Sequence, residues 1–162
     1  MTILLGSDHA GFALRRVLAQ WLFDRGYAVS EFGATDENAF DYPDAAAAVA
    51  ERISRGEAPF GVLICGTGIG MAMAANKFPG VRAAVCWDVR SARLSREHNH
   101  ANILCMGGRL ISAEDAVAIL EAFLNEPESQ EPRHIRRVGK INALGCSSEK
   151  SSERKTELQE AK

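Results

Sequence analysis

The chain has 162 residues, 46% of them hydrophobic and 25% charged, with a formal net charge of −2. This length suits one domain with a buried core, and the near balance of charge favours neither nucleic acid nor an anionic membrane as a partner. No apolar stretch approaches the ~18 residues of a bilayer span, and no basic signal-peptide segment opens the chain, so we expect a cytoplasmic protein without nucleic-acid or membrane partners.

Five short apolar runs alternate with segments of helical periodicity. The predicted strands are Ile3–Gly6, Ala28–Phe32, Val62–Cys65, Arg82–Trp87 and Asn102–Met106. The first helical segment has an apolar stripe at 3–4 spacing, made of Leu14, Val17, Leu18, Trp21 and Leu22. Such a stripe is typical of a helix with one buried face. Gly26 is placed to end this helix in the left-handed conformation.

Four further helices follow between and after the remaining strands. Asp44, Asp88 and Ser112 are placed to cap helices, which reach about Arg55, His98 and Leu124. Ser112 with Asp115 resembles a capping box. Gly56 is the expected stop of the Asp44 helix, and a last helix is expected from Pro132 or Arg133 to Leu144.

Strict alternation of strands and helices predicts an α/β fold. It implies a five-stranded parallel sheet covered by helices on both faces, that is, a three-layer α/β/α sandwich. The domain should span residues 1–145. Residues 146–162 are rich in Ser, Glu and Lys, which predicts a disordered tail.

The third strand runs into a glycine-rich loop with a cysteine at its start, Cys65-Gly66-Thr67-Gly68-Ile69-Gly70. Backbone N–H groups of such a loop can bind an anion and stabilise a thiolate. Cys86 and Cys105 lie in apolar runs and are expected to be buried and inert. The cysteine spacing favours neither a disulfide framework nor a zinc site.

Polar residues follow several strands at what should be one edge of the sheet. If the strand order is 2-1-3-4-5, the order reverses between strands one and three, where ligands bind in such sheets. Asp8, His9, Cys65 and Thr67 would then share one crevice. Each also has a structural interpretation: Asp8 and Thr67 as helix caps, and Cys65 as a small core residue. Likewise, His98, His100 and the arginines Arg133, Arg136 and Arg137 could form ordinary solvated surface.

Several nucleotide and phosphate motifs are absent. Met71 follows G-x-G-x-G, so the dinucleotide fingerprint G-x-G-x-x-G fails. No Gly-Lys-Ser/Thr forms a P-loop. A cysteine phosphatase would need an arginine where Met71 stands.

The chain resembles the type B ribose-5-phosphate isomerases and the related galactose-6-phosphate isomerase subunits. The matching segments are Gly6–Phe12, Asp41–Pro43, Cys65–Gly70 with Ala75–Lys77, Ser91–Arg93 with His98–Asn99, and Arg133–His134 with Arg137. The resemblance implies a Rossmann-like sandwich and a homodimer or tetramer whose active sites lie at a subunit interface. It also implies no metal and no organic cofactor, and a role in the pentose phosphate pathway.

The implied reaction interconverts ribose 5-phosphate and ribulose 5-phosphate through a cis-enediolate. By resemblance Cys65 is the general base, Thr67 moves a proton between sugar oxygens, and His98 of a neighbouring subunit opens the ring. Substrate binding is assigned to Asp8, His9, Gly66, Gly68, Gly70, Asn99, Arg133 and Arg137, with His134 and Arg109 as weaker additions near the phosphate. His100 and the Val89-Arg90 pair depart from the family pattern. Allose 6-phosphate or galactose 6-phosphate therefore stays an alternative substrate, and a non-catalytic sugar-phosphate or nucleotide-binding module an alternative function.

Overall fold

The computed structural model describes residues 1–144 of the chain. The tail predicted over 146–162 lies outside the described residues, as does Cys146. The five strands are β1 (Thr2–Ser7), β2 (Ala28–Gly33), β3 (Phe60–Cys65), β4 (Ala83–Val85) and β5 (Ile103–Gly107). The helices are α1 (Phe12–Asp24), α2 (Tyr42–Ser54), α3 (Ile69–Ala75), α4 (Val89–Asn99), α5 (Ala113–Asn125) and α6 (Pro132–Ala143). A 3-10 turn, His9–Gly11, joins β1 to α1.

The strands form one parallel sheet in the order β2-β1-β3-β5-β4. One apolar cluster fills the space between the sheet and the helices α1, α4 and α5, and a second lies under α2 and α3. Helices therefore cover both faces, which confirms the predicted α/β/α sandwich. The order also reverses between β1 and β3, as expected.

The assumed order 2-1-3-4-5 is wrong at its end, because β5 and not β4 lies beside β3. All five residues of β5 are buried, whereas β4 has three residues that are only half-buried. A uniformly apolar strand belongs at the centre of a parallel sheet, and a short one at its edge. The β4 prediction of Arg82–Trp87 is accordingly too long.

Most helix boundaries follow the predicted capping residues. The Asp88 carboxylate accepts from the Ser91 N–H at 2.6 Å, and the Ser112 hydroxyl accepts from the Asp115 N–H at 3.0 Å. The α2 cap is wrong, since this helix begins at Tyr42 with Asp41 as its N-cap residue. Asp44 instead lies in the first turn, where its charge favours the helix dipole.

The buried stripe of α1 differs at one position, because Val17 is 44% exposed and Arg15 is buried instead. The Arg15 guanidinium donates to the Ser7 hydroxyl at 3.0 Å, to the Ala34 carbonyl at 2.7 Å and to the Glu31 carboxylate at 3.0 Å. These bonds tie α1 to the carboxyl ends of β1 and β2. They fix the edge of the sheet from which the candidate site is built.

Within residues 1–144, no helix combines the length and the apolar character needed to cross a bilayer.

Candidate active site

The loop after β3 holds the Cys65 side chain at the carboxyl edge of the sheet. Cys65 is 5% exposed, and its Sγ accepts a hydrogen bond from the Gly68 N–H at 3.1 Å. The Gly108 N–H donates to the Cys65 carbonyl at 2.8 Å. A backbone N–H directed at sulfur is a contact that a thiol or a thiolate can accept. Cys65 is therefore buried in the core and also accepts a hydrogen bond at its sulfur. Cys105 lies in the same apolar cluster, and within residues 1–144 its sulfur has no such contact.

The three glycines of this loop make room for three different neighbours. A Cβ on Gly66 would lie 3.4 Å from Arg109 Nη1, and a Cβ on Gly70 would lie 2.7 Å from the Tyr42 ring. Gly68 has φ +79°, and its Cβ would meet the Met106 main chain at 2.9 Å. The loop is therefore enclosed by one arginine, one tyrosine and the end of β5.

We predict that Gly68→Ala destabilises the protein more than Gly26→Ala does. Both glycines have φ +79°, but a Cβ on Gly26 would meet no atom within 4 Å. Gly26→Ala should cost about 1–2 kcal/mol for the left-handed backbone alone. Gly68→Ala should cost about 1–3 kcal/mol more, because the Met106 main chain cannot move aside as a side chain can. Urea unfolding of both variants measures the difference, and equal losses would contradict the prediction.

Asp8 and His9 lie beside this loop, as expected for residues that follow the adjacent strand. The buried Asp8 carboxylate accepts from the Gly11 N–H at 3.0 Å, so its capping interpretation is confirmed. The His9 Nδ1 accepts from the Phe40 N–H at 3.2 Å. A neutral His9 ring must then carry its proton on Nε2, which leaves that nitrogen as a donor toward a ligand.

Thr67 lies at the exposed outer side of the loop. Its hydroxyl oxygen accepts from the Ile69 N–H at 3.3 Å, and its main chain packs on Gly107. The predicted role of Thr67 as a helix cap is wrong, because Gly68 is the N-cap residue of α3 and no side chain of residues 1–144 caps this helix. The exposure of Thr67 leaves the hydroxyl proton free to point away from the chain.

The remaining predicted site residues lie at the opposite edge of the sheet. The helix α4 starts after the carboxyl end of β4 and runs back, so His98 and Asn99 end near the amino ends of the strands. The Arg82 Nε, directly before β4, donates to the His100 carbonyl at 2.9 Å. The helix α6 lies at the same edge, since the Arg82 guanidinium also donates to the Asn142 side chain at 3.0 Å.

A second cluster of basic side chains forms at this amino edge. The rings of His98 and His134 are stacked, with centroids 4.3 Å apart and planes at 11°. Arg133 and Arg137 are exposed and one helical turn apart, so they point from the same side of α6. The placement of His134 and Arg109 near a phosphate stays a prediction. Arg109, which follows β5, lies beside Gly66 and the Cys65 loop at the carboxyl edge.

Burial lowers the pKa of His134, which is 4% exposed, and the charges of His98 and Arg133 lower this pKa further. The Arg133 Nε donates to the His134 Nε2 at 3.2 Å, which requires that nitrogen to be unprotonated. His134 is therefore a neutral platform on which His98 stacks. The His98 ring is half-exposed and is the one open to a ligand.

We predict that protonation of His134 makes the protein less stable in mild acid. Because its pKa is lower in the folded state, the unfolded chain binds the proton more tightly, and stability falls as the pH drops below about 6.5. His134→Phe keeps an aromatic ring against His98 without this titration. Urea unfolding at about pH 7.5 and about pH 5.5 should give a smaller loss of stability for the variant. Identical losses in the two proteins would refute this role.

Two site neighbours carry no predicted role from the sequence. Tyr42, over Gly70, lies in the Asp41–Pro43 segment, and Phe40 precedes it and donates its N–H to His9. Phe40 lies in the connection between β2 and α2, and Tyr42 is the first residue of α2. No local pattern predicts the path of this connection. Across residues 1–144, no group of three or more His, Cys, Asp or Glu side chains is arranged to hold a metal ion.

Comparisons with known proteins agree with this architecture. The model of the family described as Ribose/Galactose Isomerase matches residues 3–141. The chain is 42% identical to ribose-5-phosphate isomerase B of Escherichia coli K12 over 142 residues, which cover 88% of this chain and 95% of that protein. It is 39% identical to the enzyme of Mycobacterium tuberculosis H37Rv over 139 residues, covering 85% and 86%.

Solved structures give the same result. Ribose-5-phosphate isomerase B of Clostridium thermocellum superposes with a TM-score of 0.86 at 48% identity, over 89% of this chain and 97% of that one. The Mycoplasma genitalium enzyme with bound ribulose-5-phosphate superposes with a TM-score of 0.84 at 35% identity, over 91% and 97%. The chain therefore belongs to the ribose/galactose isomerase family, alongside the type B ribose-5-phosphate isomerases.

Proposed function

We propose that this protein interconverts ribose 5-phosphate and ribulose 5-phosphate through a cis-enediolate. The observation that carries the proposal is the Cys65 sulfur, which accepts the Gly68 N–H at 3.1 Å at the carboxyl edge of β3. This is the edge at which open α/β sheets bind their ligands. The resemblance to a structure with bound ribulose-5-phosphate favours a pentose phosphate over a hexose phosphate.

Cys65 acts as the general base in this proposal. Its thiolate takes the proton from C2 of the open-chain aldose and returns it to C1, so that the carbonyl moves from C1 to C2. The Gly68 N–H is directed at this sulfur. Thr67 transfers the second proton between the O1 and O2 oxygens, and its exposed hydroxyl is free to do so.

The developing enediolate needs donors fixed before the reaction begins. The main-chain amides of Gly66 and Gly70 are the candidates, while that of Gly68 is directed at the sulfur. The Arg109 guanidinium lies beside Gly66 and adds positive charge at the same place. The Asp8 carboxylate, already fixed by Gly11, orients sugar hydroxyls.

The other half of the site comes from a second copy of the chain. His98, Asn99, Arg133 and Arg137 lie at the amino edge of the sheet, and a five-residue strand such as β5 spans about 16 Å. One molecule of substrate cannot contact both edges of one chain. A homodimer, alone or within a tetramer, completes the site if the amino edge of one copy faces the Cys65 loop of the other.

The phosphate is bound by Arg133 and Arg137 of one copy and by His9 of the other. Guanidinium groups match phosphate oxygens in pairs, and the His9 Nε2 is left as a donor by the Phe40 contact. His98 opens the furanose ring as an acid and base, held by its stack on His134. Asn99, exposed at the end of α4, binds sugar hydroxyls.

Incubation with ribose 5-phosphate, with ketose formation followed over time, tests the proposal directly. We expect turnover without added metal or cofactor, and a kcat/KM for ribose 5-phosphate above those for allose 6-phosphate and galactose 6-phosphate. A preference for either hexose phosphate would keep the mechanism but change the substrate. Saturable binding of ribose 5-phosphate without turnover would refute the isomerase.

A further inference from the structure

The connection between α5 and α6 is attached to α4 by polar contacts. This connector, residues 126–131, leads directly into the helix that carries Arg133 and His134. Its Ser129 N–H donates to the Glu97 carbonyl at 3.0 Å, and its Glu128 carboxylate accepts from Arg96 Nη1 at 3.0 Å. The position of the connector against α4 therefore determines how the start of α6 faces His98.

His100 lies at the centre of these contacts. It ends α4 in the left-handed conformation with φ 51°, and its side chain is 13% exposed. Its Nε2 is 3.1 Å from the Ser129 carbonyl oxygen, and its Nδ1 is 3.4 Å from the Glu128 carboxylate. Both partners accept hydrogen bonds and neither can donate one. The Nε2 contact is a hydrogen bond, and the Nδ1 contact becomes an ion pair when the ring is doubly protonated, because only the imidazolium carries a proton on both nitrogens.

The charges that surround this contact come from three elements. Arg82, before β4, donates to the His100 carbonyl, and Arg96 on α4 donates to Glu128. On α4 itself, the Glu97 carboxylate is 3.5 Å from His98 Nε2 and is therefore directed away from His100 toward its neighbour. Glu128 thus faces Arg82, Arg96 and His100 together. Burial lowers the pKa of Arg82, while Glu128 opposes that shift.

We propose that His100, as the imidazolium, is a positioning residue that holds residues 126–131 against α4 and so aligns His98 with the arginines of α6. The role in substrate binding rests on the proposed function, whereas the attachment itself does not. Loss of the imidazolium removes one of the two His100 contacts, while Arg96 still donates to Glu128. The start of α6 then loses one of its fixed points next to His98.

The variant His100→Asn tests this role with little risk to folding, since asparagine tolerates the left-handed conformation. Its short side chain cannot donate to both Ser129 and Glu128. We expect KM for ribose 5-phosphate to rise about tenfold, because the arginines of α6 are then less well placed to bind the phosphate, and kcat to fall by a smaller factor, because Cys65 is untouched. We also expect the Ser129 amide hydrogen to exchange faster with deuterium in the unliganded protein.

Two further variants distinguish the His100 contact from a general effect on the connector. Glu126→Gln weakens the pair of half-buried Glu126 with exposed Arg93, 3.7 Å apart, and should change KM by less than about twofold. Glu128→Gln should raise KM as His100→Asn does. The double variant at 100 and 128 should raise KM by less than the product of the two single effects, because both changes remove the His100–Glu128 contact.

Proton NMR of the unliganded wild-type protein at about pH 6 should give two ring N–H signals of His100 that exchange slowly with solvent. Only one such signal, or unchanged KM and Ser129 exchange in His100→Asn, would overturn the proposal. If the wild-type protein does not isomerise ribose 5-phosphate, the proposed function fails. The NMR signals and Ser129 exchange then still decide whether His100 holds the connector.

Discussion

Cys65→Ala is expected to lower kcat for ribose 5-phosphate by about 10²–10⁴-fold, the usual contribution of a positioned acid–base group. KM should change little, because the phosphate and the hydroxyls are bound by other side chains. Alanine also removes the acceptor of the Gly68 N–H while keeping the small volume of the site. A steady-state assay with purified protein measures both constants.

Cys105→Ala is the matched control for this experiment. Cys105 is fully buried, belongs to the same apolar cluster as Cys65, and has a pKa raised by burial, so it stays a neutral thiol. Its replacement removes the same atoms from the same layer of the core. Near wild-type kcat in Cys105→Ala with a large loss in Cys65→Ala would assign the chemistry to one sulfur. Full activity in Cys65→Ala would exclude Cys65 as the base.

The sequence was sufficient to predict the layers of this fold, because its signals are local. Gly26 and Gly56 both adopt positive φ where they were expected to end helices. Asp88 and Ser112 cap the helices that follow them. Strand order is a different kind of property, since it depends on which strands pair after long connections. The signal available in the sequence for their exchange was the contrast between the larger apolar residues of β5 and the small residues of β4.

The part of the site that lies in the loops after β1 and β3 was predictable from the sequence. Asp8, His9, Cys65 and Thr67 share one edge because β1 and β3 are adjacent and parallel. The contacts of Tyr42 with the loop and of the Phe40 backbone with His9 were not predictable, since the chain that leads from β2 into α2 has no regular pattern. The separation of His98 from Cys65 follows from the direction of α4 alone. A helix that starts at the carboxyl edge of a sheet ends at the amino edge.

The separation of Cys65 from His98 within one chain leads to the second prediction with a large effect on activity. Cys65→Ala should be nearly inactive, and so should a variant that combines His98→Ala with Arg137→Ala. We expect a mixture of the two variants, unfolded together and refolded, to regain activity that neither has alone. Each mixed dimer would contain one doubly damaged site and one site built from Cys65 of one chain with His98 and Arg137 of the other.

The size of the recovery follows from random pairing. Equal amounts of the two chains give mixed dimers in about half of the molecules, and one site in two is intact in each, so about a quarter of the wild-type activity should return. A site within one chain would give no recovery, because every chain carries a defect. The control for refolding is a sample of Cys65→Ala alone that is unfolded and refolded in the same way. Recovery would therefore show that Cys65 and His98, which the sheet holds at opposite edges of one chain, meet between two chains.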